Sequence, residues 1–144
     1  PVEMKPQHDA AAPRLVGLLL ADRGPDFSLI AEMAAAGFVG VMLDTADKSA
    51  GPLTKAMPVF RLSVFVKEAH RAGLFAGLAG SLRKEHIAML AGLGPDILGF
   101  RGGLCRKGER TSAIDPRAVE EVAQALGARQ TRNGGLSRGE LRRA

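Results

Sequence analysis

The feature that most constrains the fold of this chain is a local pattern that recurs four times along its 144 residues. In each occurrence a short run rich in Val, Leu, Ile and Gly ends at a polar residue, and an amphipathic segment follows it. Runs that are almost continuously apolar are typical of parallel strands covered on both faces, whereas half-exposed strands alternate. We therefore predict four strands, at residues 15–21, 38–43, 74–79 and 97–100.

Apolar residues at the i, i+3, i+4, i+7 spacing predict four helices between and after these strands. The stripes are Ile30/Met33/Ala34/Gly37, Leu62/Phe65/Val66/Ala69, Ile87/Leu90/Ala91/Gly94 and Val119/Val122/Ala123/Leu126. Gly37, Gly73 and Gly94 each precede a strand, where a glycine can end a helix in the left-handed conformation. Asp115 and Pro116 suit the N-cap and the first position of the last helix. The prediction is an α/β protein, a parallel (βα)4 unit with right-handed crossovers.

Four strand–helix units are too few to close a (β/α)8 barrel, which typically has about 250 residues. The predicted sheet either stays open, as in a small doubly wound fold, or forms half of such a barrel, and composition leaves both possibilities open. The pattern divides the chain into a leader at residues 1–13, a (βα)4 domain at residues 14–126 and a tail at residues 127–144. We expect the tail to be flexible.

Composition excludes several classes of protein. With 46% hydrophobic and 24% charged residues, the chain is not disordered over most of its length, and we expect one domain with a sizeable core. No apolar run approaches the ~20 residues of a membrane span, and the first residues do not resemble a signal peptide. The single cysteine, Cys105, excludes an internal disulfide and a zinc site built from several thiolates of one chain. We predict a cytoplasmic protein without a membrane partner.

The net charge of +5 is concentrated in the tail. Residues 127–144 contain five arginines and one glutamate, a charge of +4, so the other 126 residues carry only +1. A basic segment can bind nucleic acid or anionic surfaces. This one has no aromatic side chain for base stacking and no nucleic-acid-binding motif. A solvated tail is the favoured interpretation, and nucleic acid is not an expected partner.

Two glycine-rich turns stand at the ends of the last two predicted strands, Gly80-Ser81 and Arg101-Gly102-Gly103. Ligands of parallel α/β folds bind beyond the carboxyl ends of the strands, and the last two loops of barrels frequently bind phosphate through backbone N–H groups. Each turn alone is better explained as a tight strand-to-helix connection. Two in succession, one with an adjacent arginine, favour an anion site.

Asp44 and Lys48 follow the second predicted strand. A carboxylate at a strand end and an amine four residues later can meet over the mouth of the sheet, where they suit proton transfer or carbonyl chemistry on a phosphorylated sugar. The spacing by itself favours a surface ion pair. Asp44 and Asp47 both favour the charged form of Lys48.

His70, His86 and Cys105 have no partners at a catalytic or metal-ligand spacing. We interpret the two histidines as surface or supporting residues and the cysteine as a small packing residue. The loop beyond the second glycine turn carries basic residues at positions 106, 107 and 110, which fit phosphate contact and a solvated loop equally well.

Four segments that occur in one order resemble a known family. They are VMLDTADK (41–48), GLAGSL (77–82), EHI (85–87) and GFRGGLCRKGER (99–110). Together they resemble the (5-formylfuran-3-yl)methyl phosphate synthase family of methanogens and methylotrophic bacteria, over roughly residues 14–126. Several separate motifs in order are far more specific than any single glycine turn.

The resemblance implies a TIM-barrel fold and a role in methanofuran-type cofactor biosynthesis, part of one-carbon metabolism. It implies a carbon–oxygen lyase that condenses two molecules of glyceraldehyde 3-phosphate into a phosphorylated furan aldehyde. The implied steps are an isomerisation, an aldol-type condensation through a lysine Schiff base, and loss of phosphate and water, with no metal or other cofactor. Asp44 and Lys48 match the family's strand-end aspartate and lysine that take part in catalysis.

The matched segments correspond to the carboxyl-terminal half of the family, strands five to eight. The Schiff-base lysine and another catalytic lysine belong to the amino-terminal half, so we expect Lys48 to assist without forming the Schiff base. One hypothesis is a half-barrel enzyme that works on triose phosphate with a missing amino-terminal half. The other is a non-catalytic phosphate-binding or assembly module derived from the same barrel. The expected partner is the missing half or a second copy of the chain.

Overall fold

The computed structural model describes residues 12–132, which form a parallel sheet with helices. The strands are β1 (Val16–Leu20), β2 (Gly40–Asp44), β3 (Phe75–Leu78) and β4 (Ile97–Leu98). They lie side by side in chain order, and each neighbouring pair is parallel. The predicted α/β fold is confirmed, with one strand at each of the four apolar runs, although the strands are shorter than the runs and β2 ends one residue beyond its run, at Asp44.

Five α-helices are present in the described residues: α1 (Leu29–Ala35), α2 (Leu53–Ala56), α3 (Val59–Arg71), α4 (Ile87–Ala91) and α5 (Pro116–Arg132). The sequence predicted no helix where α2 lies, because a single helical turn is too short to carry a periodic apolar stripe. Its one buried residue is Leu53, whose N–H donates to the carbonyl of Gly80 at 2.9 Å. None of the described helices is long and apolar enough to cross a membrane.

Parts of the predicted leader and tail lie outside the described residues, so the predicted domain boundaries stay a prediction. Helix α5 continues to Arg132, beyond the predicted start of the tail at position 127. The rest of the predicted tail, residues 133–144, and residues 1–11 of the predicted leader lie outside the described residues.

The local signals between the elements are confirmed. Gly37, Gly73 and Gly94 have φ angles of 91°, 79° and 79°, in the left-handed region that favours glycine. Asp115 caps α5, since its Oδ1 accepts the N–H of Arg117 at 3.0 Å. Each of these residues determines the conformation of the backbone next to it in the sequence, so the sequence alone was sufficient to predict its role.

The hydrophobic core lies between one face of the sheet and the helices. Val41 and Leu43 of β2 are fully buried, and so is the whole predicted stripe of α3. The stripe on α5 is different, because Val119 remains 40% exposed. Helix α5 packs on α4 and on the 3-10 turn Gly102–Leu104 rather than on the sheet, so its apolar residues are only partly covered.

The opposite face of the sheet is apolar and is left open by the described helices. The strand register places Leu18, Met42, Gly77 and Ile97 in one row across the four strands. Leu18 is 58% exposed and Ile97 is 41% exposed, on the two edge strands. Helices on one face are typical of the wall of a (β/α)8 barrel, whereas a doubly wound sheet has helices on both. The half-barrel is the architecture that fits.

Candidate active site

A cleft of about 730 Å³ opens at the carboxyl ends of the strands. It is the place where ligands bind in parallel α/β folds. Its walls come from the loops that follow β2, β3 and β4. All seven residues that the sequence singled out line this one cleft: Asp44, Lys48, Gly80, Ser81, Arg101, Gly102 and Gly103.

Asp44 and Lys48 form an ion pair inside the cleft. The Nζ of Lys48 lies 2.5 Å from Oδ1 of Asp44, and the two side chains are 27% and 26% exposed, respectively. The same Nζ also contacts the carbonyl oxygen of Thr45, a fully buried residue. Three oxygens therefore surround the amine, counting the Thr45 hydroxyl at 3.4 Å. The pair therefore belongs to the cleft wall and is not a fully solvated surface contact.

The Gly80-Ser81 turn has an unusual backbone. Gly80 has φ 119° and Ser81 has φ 48°, and a side-chain-bearing residue rarely adopts the second value. The turn is held against the loop after β2, because Ser81 Oγ donates to the carbonyl of Lys48 at 3.3 Å. A Cβ on Gly80 would lie 3.0 Å from the side chain of Thr45, so glycine permits this approach. Strained residues of this kind concentrate at functional sites.

The Arg101-Gly102-Gly103 turn packs directly on the turn before it. A Cβ on Gly103 would lie 2.4 Å from the carbonyl oxygen of Leu82, so glycine is needed there for close packing. Gly102 has more room, since its nearest neighbours would be 3.5 Å away. Among the described residues no acceptor is found for the backbone N–H groups of Ser81, Gly102 and Gly103. Because all three residues line the cleft, their N–H groups are candidate donors to an anion there.

The charges that line the cleft make it electropositive. Four cationic side chains stand against two carboxylates: Lys48, Arg83, Arg101 and Arg110 against Asp44 and Glu85. In the described part of the chain, no carboxylate lies within ion-pair distance of any of the three arginines. Unpaired guanidinium groups around a cleft favour phosphate or carboxylate ligands.

Arg83 and His86 are among the cleft residues that sequence reasoning did not assign to the site. Arg83 was not singled out, although a basic residue directly after the Gly80-Ser81-Leu82 turn is a usable signal. His86, interpreted as a surface or supporting residue, lines the cleft, and its Nδ1 accepts the backbone N–H of Arg83 at 2.9 Å. That hydrogen bond leaves Nε2 as the protonated nitrogen of the neutral ring.

The remaining candidates stand apart from the cleft. His70 lies 2.7 Å from Asp96 near the amino ends of β3 and β4, at the other end of the sheet. Cys105 is buried, with Sγ 3.2 Å from the carbonyl oxygen of Arg101, in agreement with a packing role. Within residues 12–132, no three His, Cys, Asp or Glu side chains come together as metal ligands.

The fold and the cleft define the class of protein: an α/β half-barrel with an electropositive site at the carboxyl ends of its strands. A sequence model of the 4-HFC-P synthase family matches residues 2–123, and the chain belongs to this family. This result agrees with the resemblance carried by the four sequence segments.

Individual relatives carry the same activity in their names. The chain is 46% identical over 118 residues to a Methylorubrum extorquens protein provisionally named (5-formylfuran-3-yl)methyl phosphate synthase, covering 81% of this chain and 50% of that protein. It is 43% identical over 90 residues to the (5-formylfuran-3-yl)methyl phosphate synthase of Methanocaldococcus jannaschii, covering 62% of this chain and 38% of the relative. The chain thus spans half or less of the length of these curated relatives.

Proposed function

We propose that this chain is the carboxyl-terminal half of a (5-formylfuran-3-yl)methyl phosphate synthase, a cytoplasmic lyase of methanofuran biosynthesis. Two molecules of glyceraldehyde 3-phosphate condense through a Schiff base on a lysine of the amino-terminal half, with loss of phosphate and water. Family membership supports the reaction. The observation that carries the proposal for this chain is the shared cleft, in which the Asp44–Lys48 pair lies with both glycine turns.

The phosphate of the substrate binds to the two turns. The N–H groups of Ser81, Gly102 and Gly103 donate to its oxygens, and the Arg101 guanidinium supplies a positive charge beside them. The left-handed backbone of Ser81 supports this role, because such strain persists where a site needs a particular N–H direction.

Lys48 acts as an ammonium group. A lysine attacks a carbonyl only as the neutral amine, whereas Nζ of Lys48 is engaged as a donor to the oxygens of Asp44 and Thr45. The ammonium stabilises the enolate oxygen that forms when the substrate loses a proton next to its carbonyl. Asp44, in contact with Lys48, takes part in the proton transfer. Since Lys48 is the one lysine among the described residues of the cleft wall, the Schiff base is assigned to the other half.

The open face of the sheet is the contact surface for that other half. Its exposed apolar residues, Leu18 and Ile97, lie on the edge strands β1 and β4, where further parallel strands would join to close a barrel. We propose that an amino-terminal half-barrel covers this face, because the matched relatives are at least twice as long as the aligned segments. An amino-terminal half can reside in the same polypeptide or in another one.

A second candidate is a non-catalytic phosphate-binding or assembly module. The observation that favours it is that the cleft wall described for this chain has no lysine besides Lys48. In that case the anion site is retained, and turnover is absent even when an amino-terminal half is supplied.

The test of the proposal is Lys48→Ala in enzyme reconstituted with an amino-terminal half from a relative. We expect turnover to fall by about 100-fold or more, since general acid–base and charge-stabilising groups contribute on that scale. Borohydride should still trap the substrate on another lysine. Lys67→Ala, on the exposed side of α3, is the matched control and should leave turnover unchanged. A trapped adduct mapped by mass spectrometry to Lys48 contradicts the assigned role, and absence of turnover in the unmodified complex favours the non-catalytic module.

The anion site is tested separately by thermal unfolding with phosphate or triose phosphate. A ligand at about ten times its Kd should stabilise the fold by about 1.4 kcal/mol through mass action. Gly102→Val should remove this stabilisation, because its side chain would enter the cleft wall, whereas Gly92→Val, outside the cleft, should retain it. Sodium chloride of equal ionic strength controls for screening of the basic groups. An equal shift with chloride would mean that the turns are purely structural.

A further inference from the structure

The carboxylate of Asp22 joins two neighbouring strand ends. Asp22 lies in the 3-10 turn Ala21–Arg23, directly after β1. Its Oδ1 accepts the backbone N–H of Ala46 at 2.8 Å, and its Oδ2 accepts that of Asp47 at 2.9 Å. One side chain thus holds two consecutive N–H groups of the loop that follows β2, 24 and 25 residues further along the chain.

The loop that Asp22 holds is the one that places Lys48 over Asp44. The N–H of Thr45 donates to Oδ1 of Asp44 at 2.7 Å, and Lys48 returns to the same Oδ1 at 2.5 Å. The two N–H groups bound by Asp22 belong to Ala46 and Asp47, the residues between Thr45 and Lys48. The backbone that places the Lys48 side chain on Asp44 therefore includes the segment that Asp22 fixes.

Both contacts are charge-assisted. The N–H groups of Ala46 and then Asp47 outweigh partial burial and hold the pKa of Asp22 below its ordinary value of 3.8, so the side chain is a carboxylate at neutral pH. Hydrogen bonds to an ionised acceptor are roughly twice as strong as neutral ones. Asp22 itself does not line the cleft, so its two hydrogen bonds connect it to the Asp44–Lys48 pair through the loop.

We propose that Asp22 is a positioning residue, which orients the Asp44–Lys48 pair by fixing the loop between them. The inference rests on the proposed function, because only that proposal gives the Asp44–Lys48 pair a catalytic role. The physical claim is that Lys48 is released from Asp44 when the two bonds from Asp22 are lost. This claim is measured on the chain without turnover, so its failure is distinguishable from failure of the proposed synthase activity.

The experiment compares Asp22→Asn and Asp22→Ala with the control Asp26→Asn. Asparagine retains one carbonyl acceptor, whereas alanine removes both acceptors. Asp26 is a matched control, because its Oδ1 also accepts a backbone N–H, that of Ser28 at 2.9 Å, and it does not line the cleft. The full chain is used throughout.

The first readout is the rate at which an amine-reactive reagent labels Lys48, relative to the exposed Lys67, measured by mass spectrometry. We expect the ratio to rise about threefold in Asp22→Asn and about tenfold in Asp22→Ala, as one and then two hydrogen bonds are lost. Asp26→Asn should leave the ratio unchanged. The second readout is hydrogen exchange at the amides of Ala46 and Asp47, which should accelerate locally in the Asp22 variants.

An unchanged labelling ratio in Asp22→Ala, with a far-ultraviolet circular dichroism spectrum like that of the parent, overturns the proposal. If the alanine variant does not fold, the near-isosteric Asp22→Asn decides in the same way. Lys67 is exposed in the folded chain, so its labelling only normalises for the reagent. A merely structural role would accelerate hydrogen exchange throughout α3 as well as at Ala46 and Asp47, whereas the proposed role confines the change to the loop after β2. In reconstituted enzyme, Asp22→Asn should lower kcat more than it raises KM.

Discussion

Replacing Gly103 with alanine is expected to weaken the fold where the two glycine turns meet. The added Cβ would stand 2.4 Å from the carbonyl oxygen of Leu82 and 3.4 Å from the Cα of Arg83. An ordinary contact between a carbon and an oxygen is about 1 Å longer than the first distance. The obstacle is backbone, and Leu82 is only 1% exposed, so no flexible side-chain end can move aside.

Overpacking of a well-packed site costs about 1–3 kcal/mol, and a rigid obstacle places this case near the middle of that range, at about 2 kcal/mol. Gly102→Ala is the matched control on the neighbouring residue. Its Cβ would find its nearest atoms at 3.5 Å, which is ordinary van der Waals contact, and its φ is not in the left-handed region. We expect it to change the free energy of unfolding by less than about 0.5 kcal/mol.

The assay is urea unfolding followed by far-ultraviolet circular dichroism, since the chain has no tryptophan or tyrosine for fluorescence. Gly103→Ala should shift the midpoint to lower urea with an unchanged slope, because the same surface is exposed on unfolding. If the two variants have equal midpoints, the turns are not in the contact described, and the packing explanation of Gly103 is refuted.

Two further predictions concern the other end of the sheet and its open face. Burial raises the pKa of Asp96, but the Ala76 N–H and the His70 ring outweigh it and hold the pKa below 3.8. A carboxyl with a depressed folded-state pKa stabilises the fold above about pH 4 and loses this effect as the pH falls through the lower value. Asp96→Asn should therefore cost about 1 kcal/mol at pH 7, after allowance for its solvent exposure, and progressively less as the pH falls below 3.8. A loss in urea unfolding that stays equal from pH 7 into this acidic range contradicts the prediction. The isolated chain should self-associate through the open face, so Leu18→Lys should lower its sedimentation coefficient. Phe60 lies on α3 and is 69% exposed, so Phe60→Lys is the control and should leave the sedimentation coefficient unchanged. A parent chain that sediments as a monomer refutes this prediction.

The fold could be predicted largely from the sequence because its main signals are local. The buried stripe of α3 follows from the 3.6-residue period of a helix, and the left-handed conformation of Gly73 follows from its place between a helix and a strand. The short helix α2 could not be predicted, since one turn has no period to detect. The exposure of Val119 could not be predicted either, because a stripe shows which face is apolar and not which neighbour covers it.

The candidate site divides in the same way. The position of Asp44, Lys48 and the two glycine turns directly after predicted strands determined that they would lie at one edge of the sheet, because parallel strands all end on the same side. Only the tertiary structure decided that Asp22 reaches the loop after β2, and that Gly103 touches the backbone of Leu82. These contacts join residues about 20 positions apart, and they depend on the strand register and on how two loops pack. Neither of these leaves a periodic trace in the sequence.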